Sequence, residues 1–136
     1  MFAIVPNSER IVFVQQSLID TPNGKVAIVN SDEVIITDGQ SALDFAISIG
    51  YENDCRKIAL NKSAMTEDFF DLSTGVAGEV VQKFVNFGYT LALFGDFSHY
   101  TSKSLHDYIY ESNKGKYIYF INSEQAAIEK LGKLRD

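Results

Sequence analysis

An aspartate and two hydroxyl residues precede a stretch with helical periodicity. They lie in the segment Asp71, Leu72, Ser73, Thr74 and Gly75. The first turn of a helix has backbone N–H groups without partners, and the helix dipole favours negative charge there. Ser73 or Thr74 is therefore expected to cap the helix. Asp71, Ser73, Thr74 and Gly75 also form a candidate site for phosphorylation, for a phosphate-like anion or for a partner.

A second group of polar residues follows the apolar runs 58–60 and 91–94. Loops after parallel strands meet at one edge of a sheet, which is where open α/β folds bind ligands. The candidate rim comprises Asn61, Lys62, Ser63, Asp96, Ser98 and His99.

Catalysis is the alternative function for this rim. A histidine close to a serine and an aspartate can act as a general base or activate a nucleophile. A small hydrolase or transferase would use Lys62, Asp96 and His99. The sequence has no Gly-x-Ser-x-Gly turn, and such a turn marks one large class of hydrolases. Binding is therefore favoured over catalysis.

Metal and cofactor sites are not expected. His99 and His106 are seven residues apart and Cys55 is distant, which matches no zinc spacing. Three acids, Asp68, Asp71 and Asp96, could hold a hard cation, but such acids more often interact with helix dipoles. The glycines form neither a phosphate loop nor a dinucleotide pattern.

Composition indicates one globular domain spanning residues 1–136. Hydrophobic residues make up 46% of the chain and charged residues 22%, which suits a packed core. The net charge of −6 repels nucleic acid. Cys55 is the single cysteine, which favours a reducing, cytoplasmic setting. No apolar run approaches the roughly 20 residues of a membrane helix, and we see no signal peptide, so a soluble protein is expected.

The strands and helices that must position these residues are predicted to form a mixed sheet. Residues 2–5, 11–14 and 26–29 are strand-like and are separated by turn signals at 6–8 and 21–24. Such short connections predict an N-terminal antiparallel hairpin. Alternating helical and strand patterns then predict crossovers and a parallel sheet. The fold class is α/β with about four helices.

The later boundaries follow from caps and periodicity. Helices are predicted over 42–49, with Ser41 as N-cap and Gly50 as stop, over 74–87, ending at Gly88, and over 104–111. Ser123 or Asn122 caps a closing helix, and residues 117–121 form the last strand. The segment 34–36 fits either an edge strand or a single helical turn.

Part of the chain resembles the sulfate-transporter and anti-sigma-factor-antagonist (STAS) domain. The resemblance lies in residues 58–63, in 71–75, in the amphipathic helix that ends at Gly88, and in 91–95. In that family an Asp-Ser-Ser-Gly-like turn carries the phosphorylated residue. By resemblance, Asp71 corresponds to the acid, and Ser73 or Thr74 to the phosphorylated position.

A closer resemblance covers about residues 25–131 and is to the bacterial family named domain of unknown function 4180. The matching phrases are 31–34, 60–64, 67–75 and 110–115. The name of this family implies no activity, whereas the resemblance to the STAS domain implies a non-enzymatic regulatory module that binds a partner protein or a small ligand of unidentified kind. They are compatible with a homo-oligomer.

Overall fold

The computed structural model describes residues 2–4 and 11–135, with side chains from Val14 onward. Val5, at the end of the first predicted strand, and the predicted turn at 6–8 lie outside the described residues. A single sheet pairs segments of the chain that are thirty or more residues apart in the sequence. The rest of the chain packs on this sheet.

Within residues 2–4 and 11–135, six strands form this sheet, in the same order as in the sequence. They are β1 (Phe2–Ile4), β2 (Ile11–Thr21), β3 (Gly24–Ser31), β4 (Lys57–Asn61), β5 (Thr90–Phe94) and β6 (Ile118–Ile121). β1 and β2 pair antiparallel, as do β2 and β3. The pairs β3–β4, β4–β5 and β5–β6 are parallel. The predicted mixed sheet with an N-terminal hairpin is confirmed.

The hairpin strands are longer than predicted. β2 continues to Thr21, which pairs with Gly24, so the turn contains only Pro22 and Asn23. Residues 15–17 were not predicted as strand because their side chains are polar. Pairing with β3 supplies backbone hydrogen bonds that do not depend on apolar side chains, and this explains the extension.

In the described part of the chain, four α-helices connect or follow the parallel strands, as predicted. They are α1 (Gly39–Asn53), α2 (Val76–Phe87), α3 (Lys103–Asn113) and α4 (Glu124–Gly132). Three short 3-10 helices, Lys62–Ala64, Glu67–Phe70 and Leu72–Thr74, fill the connection from β4 to α2. Among the described residues, no helix combines the length and apolar character that a membrane crossing requires.

Both predicted ends of α1 were wrong. The N-cap is Asp38, whose carboxylate accepts from the backbone N–H of Ser41 at 2.8 Å. Ser41 instead completes a capping box, since its hydroxyl accepts from the Asp38 N–H at 3.0 Å. Gly50 lies inside the helix because it packs under Tyr89, and a Cβ there would lie 2.7 Å from the Cys55 carbonyl oxygen. The helix ends at Asp54, in the left-handed conformation.

The segment 34–36 is neither a full strand nor a helix. Ile36 forms an isolated parallel bridge with Met65. The N–H groups of Ile35 and Ile36 both donate to the Ala64 carbonyl. This bridge ties the chain before α1 to the segment after β4.

Among the described helices, α1, α2 and α3 cover one face of the sheet and α4 covers the other. Sequential strand order with right-handed crossovers places α1, α2 and α3 on the same side. Their buried residues, among them Phe45, Phe84 and Leu105, share a core with Val29 and Leu60. On the other side, α4 covers all four parallel strands. That smaller core includes Val26, Ile28, Ala59, Ala92, Tyr119, Ala127 and Leu131.

The outer edge of β6 is occupied by a side chain from α3. The Asn113 amide oxygen accepts from the Phe120 N–H at 2.8 Å, and its nitrogen donates to the Phe120 carbonyl at 3.2 Å. These two bonds satisfy edge groups that would otherwise lack a partner strand.

Candidate functional site

The start of α2 differs from the prediction. The helix begins at Val76, and its N-cap is Gly75 with φ 80°, so the predicted start at Thr74 and the predicted cap by Ser73 were wrong. A left-handed φ is easily adopted only by glycine. Ser73 and Thr74 instead belong to the separate 3-10 helix Leu72–Thr74. This break turns the two hydroxyls in different directions.

The Thr74 hydroxyl is held by the backbone. It accepts from the Val76 N–H at 3.2 Å, which satisfies one free donor of the helix start. Its proton faces the carbonyls of Asp68 at 2.7 Å and Asp71 at 2.9 Å. Thr74 therefore stabilises the turn.

The Ser73 hydroxyl points to a carboxylate. It donates to Asp71 Oδ1 at 2.6 Å, and the Ser73 backbone N–H donates to the same oxygen at 3.1 Å. Both residues are exposed. Ser73 is thus an accessible hydroxyl whose proton is already shared with a base.

The surface around Ser73 is acidic. It is contiguous with the start of α1, because a Cβ placed on Gly39 would lie 3.1 Å from the Cβ of Glu79 in the first turn of α2. The exposed carboxylates of this region, here called the acidic surface, are Asp38, Glu67, Asp68, Asp71 and Glu79. Such a surface attracts cationic groups and repels anions.

The rim residues line one shallow depression of about 490 Å³ at the carboxyl ends of β4 and β5. Its lining is Asn61, Lys62, Ser63, Phe94, Gly95, Asp96 and His99. Ser98 lies beside it and donates its backbone N–H to Asp96 Oδ1 at 2.9 Å. Five of the six rim residues named from the sequence therefore share this depression, and the sixth adjoins it.

Asp96 is held ionised within the rim. Hydrogen bonds from the Ser98 hydroxyl and then from its backbone N–H lower the pKa of Asp96, and the charges of His99 and Lys62 lower it further. The carboxylate is exposed. It is suited to hydrogen bonding or charge pairing with a ligand.

Lys62 reaches from the rim toward the start of α2. Gly95 gives its stem room, since a Cβ at Gly95 would lie 2.8 Å from the Lys62 Cβ. The Lys62 Nζ lies 5.0 Å from the centre of the Tyr100 ring and 5.5 Å from that of Phe70. It also pairs with Glu67 at 3.5 Å. Lys62 therefore links the rim to the 3-10 segment that precedes Ser73.

Tyr100 belongs to the same cluster. Its ring stacks on Phe70 with centroids 5.1 Å apart. Burial, together with its hydrogen bond to Glu67 and the charge of that residue, raises the pKa of Tyr100. His106 Nε2 lies 2.6 Å from the Tyr100 carbonyl oxygen and fixes the loop from α3. The roles of Glu67 and Tyr100 were not predicted, although the aromatic residues near 69–70 and 97–100 were a signal.

The depression is open because of the strand order. Ligand crevices of open α/β sheets form where the strand order reverses. Here the order runs from β1 to β6 without reversal. His99 is accordingly exposed, and its ring packs against Tyr100 with centroids 4.1 Å apart. No hydrogen bond joins His99 to Asp96 within residues 14–135.

The acids considered for a cation do not form a metal centre in the part of the chain that the structure describes. No group of three or more His, Cys, Asp or Glu side chains in residues 14–135 is arranged to hold a metal ion. Asp68 and Asp71 lie near the start of α2, whereas Asp96 lines the rim.

A family model matches most of the sequence. Residues 21–131 fit the family described as Domain of unknown function (DUF4180). The chain belongs to this family. No curated protein matches the DUF4180 chain in sequence.

The DUF4180 chain is also similar to a solved structure. This is a putative anti-sigma factor antagonist from Thermotoga maritima, at 15% identity and a TM-score of 0.43, over 85% of this chain and 93% of that chain.

Proposed function

We propose that the chain is a regulatory module that binds a partner protein through the acidic surface, and that phosphorylation of Ser73 switches this binding. The observation that carries the proposal is the contrast between two adjacent hydroxyls. Ser73 is exposed and donates to Asp71 at 2.6 Å, whereas the backbone occupies the Thr74 hydroxyl. A cytoplasmic location fits this role, because Cys55 is the single cysteine of the chain and no intrachain disulfide can form.

Asp71 prepares the serine for phosphoryl transfer. A protein kinase would bring a nucleoside triphosphate to Ser73. As the Ser73 Oγ–P bond forms, the bond from the γ-phosphorus to the bridging oxygen breaks and a nucleoside diphosphate leaves. The hydroxyl proton passes to a carboxylate, and Asp71 is already hydrogen-bonded to it.

Phosphorylation of Ser73 would change the conformation of the turn at 71–75. A phosphoserine carries a charge of about −1.5 to −2 at pH 7 and has lost the hydroxyl donor. It would lie next to Asp71, with Asp68 on the preceding turn. Like-charge repulsion then breaks the Ser73–Asp71 contact and opens the turn at 71–75. A partner that binds the closed turn is released.

The rim takes part because it contacts the same segment. Lys62 of the rim pairs with Glu67, and Tyr100, which packs against His99 of the rim, stacks on Phe70. Both ends of the helix Glu67–Phe70 are therefore held from the rim side. A ligand at the rim that displaced Lys62 would alter the support of the turn. A small ligand is therefore a second route to the same switch.

The hydrolase or transferase alternative has less support. It needs His99 oriented by Asp96 in an enclosed pocket. His99 is exposed on the shallow rim, and the Asp96 carboxylate accepts from Ser98. The exposed Ser73, in the 3-10 helix that precedes α2, supports the module.

The first test asks whether Ser73 is the residue that is phosphorylated. The chain is isolated from its own cells and its intact mass is compared with that of Ser73→Ala, Thr74→Val and Ser123→Ala. Ser123 is the matched control, since it is likewise an exposed serine shortly before an α-helix. We expect a phosphate-sized increment that only Ser73→Ala abolishes. The increment persisting in Ser73→Ala would contradict the proposal.

The second test is binding. Wild type, Ser73→Ala, Ser73→Glu and Ser123→Glu serve as baits for quantitative capture from native lysate. We expect one stoichiometric partner on wild type, Ser73→Ala and Ser123→Glu, and its loss on Ser73→Glu. Equal capture by Ser73→Glu and Ser123→Glu would show that charge at residue 73 is not a switch.

A further inference from the structure

A row of apolar side chains lies on the outer side of α1. Leu43, Ile47 and Tyr51 follow one another at four-residue intervals, so they share one face of the helix. Leu43 is half-buried, whereas Ile47 is 41% exposed and Tyr51 is 87% exposed. We call these three residues the α1 stripe. Contiguous apolar side chains on a protein surface mark interaction sites, whereas single ones are common everywhere.

The charged residues that border the α1 stripe are acidic. Asp44 precedes Ile47 by three residues and is its neighbour on the helix surface, and Glu52 directly follows the last stripe residue. Both acids are exposed, as is Asp54 at the C-cap. The sequence of α1 contains no lysine or arginine. Within residues 14–135, no ion pair involves these three acids.

The end of α1 lacks the cation that a helix C-terminus favours. The helix dipole places partial negative charge there, and lysine or arginine normally offsets it. In α1 the last turn has no basic residue, and Glu52 and Asp54 add negative charge. Arg56, the next basic residue in the sequence, donates to the Phe87 carbonyl at the end of α2, at 2.8 Å. A cation supplied by a partner would therefore relieve an unfavourable arrangement beside Tyr51.

The α1 stripe runs toward the acidic surface. Asp38, which belongs to that surface, caps the start of α1. Glu79, a second member, lies against the first turn of α1, because a Cβ placed on Gly39 would be 3.1 Å from the Glu79 Cβ. A partner segment that lay along α1 would thus contact the acidic surface at one end and Tyr51 at the other.

We propose that the α1 stripe docks an amphipathic helix of the partner protein, in which a row of apolar side chains is flanked by lysine or arginine. Charge complementarity selects this occupant, because the acids around the stripe attract such side chains. The exposed ring of Tyr51 can also pack against a lysine or arginine. The inference rests on the proposed function for the existence of a protein partner, and it adds the chemistry of that partner.

Two other occupants are disfavoured by the same charges. A second copy of this chain that docked through its own α1 would bring Asp44 and Glu52 against their counterparts. An anionic lipid surface would likewise be repelled. Both occupants remain outcomes that the experiment distinguishes.

The probe is a synthetic peptide, constrained as a helix, with leucines at helical spacing flanked by lysines. It is titrated into the full, unphosphorylated chain and followed by amide chemical shifts. We expect saturable shifts centred on residues 43–52. Ile47→Ser and Tyr51→Ala should each weaken binding about fivefold or more. The matched control is Tyr110→Ala, which removes a tyrosine that is 56% exposed on α3 and should leave the affinity unchanged.

Charge is tested on both molecules. The same peptide with glutamates in place of the lysines should not bind measurably. Glu52→Gln should weaken binding of the lysine-flanked peptide about threefold, as expected for one exposed charge pair. Glu129→Gln, which removes an exposed carboxylate from α4 on the other side of the sheet, should have no effect. Equal affinity for the two peptides would overturn the charge complementarity.

The remaining arms decide the occupant. Equal peptide binding by Tyr51→Ala and wild type, when the amide spectrum away from α1 shows a folded variant, would overturn the docking site. Sedimentation equilibrium and flotation with phosphatidylglycerol vesicles test the other occupants. A dimer, or vesicle binding, that Tyr51→Ala abolishes would overturn the assignment to a protein partner.

The outcome is separable from that of the proposed function. The peptide is titrated into a chain whose intact mass shows no phosphate, so a negative result leaves the mass test of Ser73 untouched. Conversely, absence of phosphate at Ser73 in cells would leave the peptide result untouched. A partner that wild type captures from lysate should be depleted on Tyr51→Ala and retained on Tyr110→Ala. Full retention on Tyr51→Ala would show that the partner does not use the α1 stripe.

Discussion

The hydroxyl of Tyr100 donates to the carboxylate of Glu67, at 2.9 Å from Oε2 and 3.1 Å from Oε1. The two residues are 33 positions apart. The bond joins the loop after β5 to the helix Glu67–Phe70, and only Asp71 and Leu72 separate that helix from Ser73. The rim and the start of α2 are therefore one connected surface.

This bond predicts a loss of stability at alkaline pH. Burial and Glu67 raise the pKa of Tyr100 above its unfolded value, so its contribution is fully present below about pH 10 and is lost as pH rises beyond it. The free energy of unfolding, measured in denaturant across this range, should fall less steeply in Tyr100→Phe. Glu67→Gln should give an intermediate slope, because burial of the ring remains. Identical slopes in wild type and Tyr100→Phe would contradict the assignment.

Two glycines in helices should respond in opposite ways to alanine. A Cβ at Gly50 would collide with the Tyr89 ring and lie 2.7 Å from the Cys55 carbonyl oxygen, whereas a Cβ at Gly78 meets nothing within 4 Å. We expect Gly50→Ala to lower the free energy of unfolding by about 1–3 kcal/mol. Gly78→Ala should raise it by about 0.5–1 kcal/mol. Denaturant unfolding checks both, and a stabilised Gly50→Ala would show that this packing is wrong.

Substitutions at the adjacent hydroxyls of Ser73 and Thr74 should have different effects on the free energy of unfolding. Thr74→Val removes the acceptor for the Val76 N–H and the donor to two carbonyls, which should cost about 1–2 kcal/mol. Ser73→Ala removes one exposed hydrogen bond and should change stability by no more than about 0.5 kcal/mol. Thermal and denaturant unfolding provide the comparison. A loss in Ser73→Ala as large as that in Thr74→Val would give Ser73 a structural role.

The sequence was most informative where local signals and burial agree. The runs 58–60 and 91–94 are apolar because β4 and β5 are covered on both faces, and Gly88 ends α2 with a left-handed φ of 74° as predicted. Caps were less predictable, since Asp38 and Ser41 each suit an N-cap and the capping box uses both. The start of α2 depended on one backbone angle at Gly75 that residue types do not reveal.

The candidate sites also differ in how far they could be predicted from the sequence. The rim could be predicted because parallel strands bring their carboxyl ends together whatever the side chains. The Glu67–Tyr100 contact could not, because its geometry depends on how the three 3-10 helices fold back over the sheet.

The side chain of Asn113 at Phe120 has a consequence for self-association. Exposed edge strands are templates on which a further chain can polymerise. By occupying the N–H and the carbonyl of Phe120, one amide imitates the neighbour that β6 lacks. A second copy would have to displace that amide before it could pair with β6 at Phe120, so the asparagine disfavours extension of the sheet at this edge.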